Sequence, residues 1–186
     1  MNPTGNKSDF EELTTNLRDL AYSYLEKYNP SKQQLKVYLL KKYLTKIKGT
    51  KSKKEVTSII DKIIINLEKN KIISDELYSD SKARMFLRRG YSLSKINQSL
   101  RIKGIEDKYI KKSIEKIKEN EIEPDFVSAL KLCKRRRIGP LRPEANRELF
   151  YKKDMGILAR GGFSFDLSKR ILNLDQEEFK KLIKII

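Results

Sequence analysis

The chain has 186 residues, 38% of them hydrophobic and 36% charged, and its 42 Lys and Arg against 25 Asp and Glu give a formal net charge of +17. That size and charge favour several thin helix-on-helix cores over one large one, and point to a polyanionic partner such as nucleic acid, a nucleoprotein or an anionic membrane surface. With no histidine and the single cysteine Cys133, a Cys/His metal site, a Ser-His or Cys-His nucleophile pair and an internal disulfide framework are all excluded.

Helical periodicity runs through the sequence, and no strand alternation is found. Asp9, Glu11 and Glu12 stand where a secretory leader would carry a basic stretch and an apolar run. The spacing instead predicts a first helix over 9–28. Phe10, Leu13, Leu17, Leu20, Ala21, Tyr24, Leu25 and Tyr28 share one face, Ser8 is the cap, and the three acids fill the first turn. Asn29-Pro30 ends it. Ser31 with Gln34 forms a capping box for a second helix carrying Leu35, Tyr38, Leu39 and Tyr43, and Ser52 with Glu55 opens a third. Val56, Ile59, Ile60, Ile63, Ile64 and Leu67 stripe that third helix, which ends near Asn70. The longest apolar run, Val37–Leu40, is far below the ~18 residues of a membrane span. A soluble cytoplasmic chain, without a membrane partner, is expected.

The pattern then recurs. Ser74 or Asp75 opens a helix with Leu77, Tyr78, Met85 and Phe86 that stops near Gly90. Ser92 caps the next, with Leu93, Ile96 and Leu100, and Gly104 stops it. A helix with Tyr109, Ile110, Ile114 and Ile117 ends at Asn120, and Pro124 suits the first turn of one carrying Phe126, Ala129, Leu130 and Cys133. A helix over 143–160 ends at Gly161-Gly162. Ser164 opens another with Leu167, Ile171 and Leu172, and Asp175 with Glu178 caps a last one.

These elements align with one another. Ser31, Leu35 and Leu39 fall 61 positions before Ser92, Ile96 and Leu100, while Ile60, Ile64, Leu67, Asn70 and Asp75 fall 50 before Ile110, Ile114, Ile117, Asn120 and Asp125. The difference of 11 is an insertion in the first copy, around the lysine-rich stretch 46–54. A third, weaker copy sets Leu100, Gly104, Ile105 and Tyr109 against Leu158, Gly162, Phe163 and Leu167, at a spacing of 58. The expectation is an all-α, elongated array of three tandem three-helix, helix-turn-helix-like repeats. Residues 1–74 form the first, with the N-terminal helix and the insertion. Residues 75–123 form the second, and 124–186 the third with the C-terminal helix.

Chemistry concentrates in the cations. Lys32 to Lys54 contains nine lysines and no acid, and Lys131 to Arg160 contains ten Lys and Arg against three acids, including the run Lys134–Arg137. Such tracts neutralise phosphates when they face a polyanion, and arginine adds planar bidentate contacts. The bland alternative is a set of solvated helix faces. Tyr91, Phe150, Tyr151, Phe163 and Phe165 could stack on bases, although core or junction anchors are the simpler reading. Asp61, Asp75, Glu76 and Asp80 read as helix-surface acids paired with lysines rather than metal ligands. Gly161-Gly162 reads as a helix end rather than a phosphate loop, and Cys133 as a small core residue. No catalytic residue, cofactor or metal site is expected.

Three features together resemble the RecX family: the tandem three-helix units, the segment Phe86–Ser92 leading to Leu100–Ile105, and the ending Leu158–Asp166. The resemblance spans roughly residues 12–173 and departs from the family at the insertion and around Gly139–Asn146. It implies a modulator of the RecA recombinase in DNA repair, homologous recombination and SOS control; for oligomeric state, monomer is the default expectation. Such a protein binds the RecA–DNA filament, with possible direct DNA contact, and inhibits strand exchange and the coupled ATPase. The candidate contacts are Arg88, Arg89, Lys103, Arg135, Arg136, Arg137, Arg160 and Arg170. The residues alone also fit a helix-turn-helix-like DNA-binding protein or transcription regulator, and a helical scaffold for an acidic protein.

Overall fold

A computed structural model describes residues 5–47 and 51–185. Among them run ten α-helices and no strand: α1 (Gly5–Leu25), α2 (Lys32–Lys42), α3 (Lys53–Lys69), α4 (Asp75–Arg88), α5 (Leu93–Ile102), α6 (Asp107–Asn120), α7 (Pro124–Arg136), α8 (Glu144–Arg160), α9 (Phe165–Leu172) and α10 (Gln176–Ile185). A π-helical turn, Tyr43–Ile47, prolongs α2, and a 3₁₀ turn, Gly139–Leu141, precedes α8. The all-α expectation holds.

Side-chain caps set most of the helix starts. Ser31 and Ser52 each accept the N–H three residues on, from Gln34 and Glu55, whose side chains return the bond to the cap N–H. Ser92, Ser164 and Asp175 accept from Lys95, Leu167 and Glu178 at 3.1, 3.3 and 2.7 Å. Pro124 occupies the first turn of α7, where a missing N–H costs nothing. The first helix departs from expectation. It begins at Gly5, so Ser8 lies inside it and Asp9, Glu11 and Glu12 sit beyond its first turn. The helix also stops at Leu25, three residues short of Tyr28. Of the lysine-rich insertion, residues 48–50 lie outside the described residues, and the Tyr43 hydroxyl donates to Lys51 O at 2.8 Å across it.

The chain divides into two compact units, Met1–Tyr78 with Lys103–Ile105 and Ser79–Ile102 with Glu106–Ile186. In the first, Leu17 and Ala21 of α1, Leu35 and Leu39 of α2, and Val56, Ile60 and Leu67 of α3 are buried together. In the second, Ala129, Leu130 and Cys133 of α7 pack with Leu158, Ile171, Leu172 and Phe179. Each buried Leu or Ile contributes about 1.5–3 kcal/mol against about 1 for a cap. Packing therefore carries the stability, and the caps fix where each helix begins.

Two further contacts recur. The carboxylate of Asp75 accepts the N–H of Lys32 at 2.8 Å, and that of Asp125 accepts the N–H of Leu93 at 2.7 Å. Ser31 Oγ donates to Lys103 O at 2.8 Å, and Ser92 N donates to Gly161 O at 3.2 Å. In both, the start of one helix meets the glycine turn of a later one, at Gly104 and at Gly162. A Cβ on Gly104 would lie 2.5 Å from Gln33 Cβ, and one on Gly162 2.4 Å from Ser92 Oγ. Asp75 is thus a buried capping group, 3% exposed, and not the surface acid that its sequence setting suggests.

Helices α3, α4, α7 and α8 end alike. The amides of Ile72, Tyr91, Ile138 and Phe163 donate to Leu67, Phe86, Cys133 and Leu158 O at 2.9–3.3 Å, the six-to-one bond of a Schellman ending. The residue before each donor is left-handed: Lys71 (φ 57°), Gly90 (72°), Arg137 (53°) and Gly162 (86°). A residue with a Cβ pays about 1–2 kcal/mol for that conformation.

Candidate functional site

Six of the candidate arginines lie on chain segments that meet in the second unit. Gly90 ends α4 so close to α7 that a Cβ on it would lie 2.7 Å from Leu132 N and 2.8 Å from Ser128 O. Two residues on, Ser92 N holds Gly161 O, and a Cβ on Gly161 would lie 3.0 Å from Leu132 Cδ2. The end of α4, the end of α8 and the middle of α7 therefore meet around Leu132. Arg88 ends α4 and Arg89 follows it, both just before this junction, and Arg160 ends α8. Arg135, Arg136 and Arg137 follow about one turn beyond Leu132. All six are exposed. Among the described residues none has an acidic partner.

The other two candidates are on other segments. Lys103 belongs to the first unit, and its main-chain oxygen receives Ser31 Oγ. Arg170 stacks 4.3 Å over the Phe126 ring and reaches Glu123 Oε1 at 3.5 Å. It is already engaged inside the molecule.

Several cations counted in the sequence have structural work instead. Arg142 grips the buried carboxylate of Asp154 with two bonds, Nε–Oδ2 at 2.6 Å and Nη2–Oδ1 at 2.7 Å, while Gly139 N donates to Oδ2 at 2.9 Å. Hydrogen bonding to Asp154 raises the Arg142 pKa above its ordinary value. Arg147 Nη2 donates to Leu172 O and Leu174 O at 2.9 and 2.7 Å, closing the end of α9. In the first tract, Lys32 pairs with Glu68 at 2.8 Å and Lys36 with Asp61 at 2.5 Å, both acids being on α3.

The aromatic candidates separate in the same way. Phe163 is buried, Tyr91 stacks on Phe86 with centroids 5.3 Å apart, and Phe150 lies under Arg142 and near Lys153. Tyr151 is half-buried against the core of the second unit. Phe165 alone of the five is broadly open, 66% exposed.

The titratable groups show no reactive arrangement among the described residues. Cys133 is fully buried, and burial, helped by the charge of Asp154, pushes its thiol up to about 12. Burial alone would raise Asp80, but hydrogen bonds from Lys116 and Ser113 outweigh it and hold the carboxyl below its ordinary 3.8. No group of three or more His, Cys, Asp or Glu that could hold a metal ion occurs among these residues, and no helix there is long and apolar enough to cross a membrane. A cleft of about 830 Å³ beside α8 has Asp154 in its wall, and that carboxylate is already taken by Arg142.

The described residues thus form an all-helical, basic scaffold with exposed arginines on the segments that meet around Leu132. The chain is 30% identical over 161 residues to the regulatory protein RecX of Myxococcus xanthus (strain DK1622), covering 86% of this chain and 85% of that one. It is 26% identical over 113 residues to RecX of Agrobacterium fabrum (strain C58 / ATCC 33970), covering 61% and 58%. A crystal structure of regulatory protein RecX superposes with a TM-score of 0.57 at 24% identity, over 91% of this chain and 78% of the other. No protein-family model matches the sequence. The chain belongs to the RecX family of regulatory proteins.

Proposed function

We propose that this chain regulates a RecA recombinase by binding the RecA–DNA filament, opposing strand exchange and the coupled ATPase in DNA repair and SOS control. It does so as a cytoplasmic monomer without chemistry of its own. Residues 1–74, 75–123 and 124–186 form its three tandem repeats. The observation that carries the reading is the set of exposed arginines on the segments that meet around Leu132, none of them in an ion pair among the described residues. Guanidinium groups left unpaired on a chain of net charge +17 suit the phosphates and acidic surface of a nucleoprotein. The family membership supplies the regulatory role.

The test is the DNA-dependent ATPase of RecA with the full chain added. Inhibition at substoichiometric amounts supports the reading. No inhibition, with tight binding to one duplex sequence, replaces it with a transcription regulator. Replacing Arg135, Arg136 and Arg137 together with Ala should weaken filament binding and lower its salt slope by about two to three units, from roughly 0.7–0.9 per lost phosphate contact. An unchanged slope would assign the run to solvent.

A further inference from the structure

The four Schellman endings fill their left-handed position differently, and the difference singles out one residue. At Gly90 and Gly162 glycine is demanded by space as well as by φ, because a Cβ would strike Leu132 N at 2.7 Å and Ser92 Oγ at 2.4 Å. The Arg137 side chain is exposed and has no acid, ring or carbonyl partner among the described residues. Its neighbours in the run differ from it in backbone. Lys134, Arg135 and Arg136 occupy the last turn of α7, where cations complement the negative end of the helix dipole. Arg137 caps the same helix end, its N–H donating to Cys133 O and Lys134 O, but at φ 53°, a conformation that glycine adopts freely and a residue with a Cβ adopts at a cost. A cation held there at the cost of a left-handed backbone, with no partner among the described residues, is explained by a contact outside the molecule. Glu123, also left-handed, has Arg170 as a partner. Lys71 shares the backbone of Arg137 but has no run of arginines beside it.

We infer that Arg137 is a phosphate-gripping residue, retained at the expense of stability for contact with the phosphodiester backbone of a nucleic acid. This deepens the polyanion-binding reading above and rests on it. Phosphate fits better than a protein carboxylate. Ile138, Gly139 and Pro140 after the run are buried, and no large exposed apolar residue lies within ten positions of it. Protein interfaces are anchored by apolar and aromatic side chains, whereas phosphate contacts need only fixed donors, and a guanidinium offers two in one plane.

The experiment compares the full chain with Arg137→Gly and Lys71→Gly. One arm measures urea denaturation. The other measures binding to labelled 30-nucleotide single-stranded and duplex DNA across a salt series. Arg137→Gly should raise the denaturation midpoint, weaken DNA binding about tenfold, as for one lost charge-assisted bond, and lower the salt slope by about one. Lys71→Gly should raise the midpoint and leave DNA binding unchanged. A stabilised Arg137→Gly with unaltered DNA affinity and slope would overturn the inference, as would a loss of stability or a parent chain that binds neither DNA. Equal affinity losses in both variants would reduce the effect to net charge and also overturn it. RecA ATPase inhibition is read separately on the same proteins. Weakened DNA binding by Arg137→Gly, with a parent chain that leaves the RecA ATPase unaffected, would retain this contact and reject the filament reading, and the converse would reject this contact alone.

Discussion

Replacing Gly162 with alanine tests whether the start of α5 is built against the glycine turn after α8. The new Cβ would sit 2.4 Å from Ser92 Oγ and 2.9 Å from Lys95 Cβ, at a residue whose φ is 86°. The left-handed backbone costs a residue with a Cβ about 1–2 kcal/mol, and crowding a packed contact adds roughly 1–3, so Gly162→Ala should lose about 2–5 kcal/mol in urea denaturation. The two contributions can be separated through the partner. Ser92→Gly removes the hydroxyl that is struck, and as a cap substitution it should itself cost only a few tenths of a kcal/mol. The double variant should then be more stable than Gly162→Ala alone by about 1 kcal/mol or more, a coupling expected only of groups in contact. The backbone cost would remain, because Lys95 and the positive φ are still there. Strictly additive effects, or a Gly162→Ala variant as stable as the parent, would refute the assigned junction.

Asp154→Asn should cost about 3–5 kcal/mol, the range for breaking a buried pair, because the Arg142 guanidinium loses the charge it grips; denaturant titration checks this, and a loss under 1 kcal/mol would contradict the pairing. Asp80 titrates below 3.8 in the folded chain, so its stabilising effect holds above that value and is lost as pH falls through the folded pKa. The stability gap between the parent and Asp80→Asn should therefore be constant near neutrality and narrow only in that acid range, as followed by denaturation at stepped pH. The Cys133 thiol, buried and pushed up to about 12, should ignore a thiol-disulfide reagent at pH 8 until urea unfolds the chain, which absorbance of the released thiolate will show.

Local signals were the legible part of this fold. Ser31 with Gln34 and Ser52 with Glu55 are capping boxes within four residues, so both helix starts could be read directly. The start of α1 could not, since its serine and acids fit a helix interior as well as a cap, and the helix continues back to Gly5. Nothing local tells that Arg142 and Asp154, 12 positions apart across a turn, meet as a buried pair. Nor does sequence tell that Arg147 closes α9, or that Lys32 and Lys36 are neutralised by acids on α3. The basic tracts were therefore visible as totals, while the cations left open to a partner had to be found by removing those in use. Arg137 was readable as one of a run, but its left-handed backbone was not, because that conformation follows from where α7 stops.

The caps of α2 and α5 also bear on the order in which the chain becomes structured. The first turn of α2 is completed by Asp75 and by Lys103, the latter 72 positions downstream of Ser31. That of α5 likewise waits for Asp125 and Gly161. At a synthesis rate of about 5–20 residues per second, Ser31 spends roughly 4–14 s on a growing chain before Lys103 exists. Each early helix is thus finished by residues made later. A nascent or truncated chain should carry frayed helix starts that close only when the following segment arrives, so that maturation proceeds from the amino end in steps, each locked by its successor.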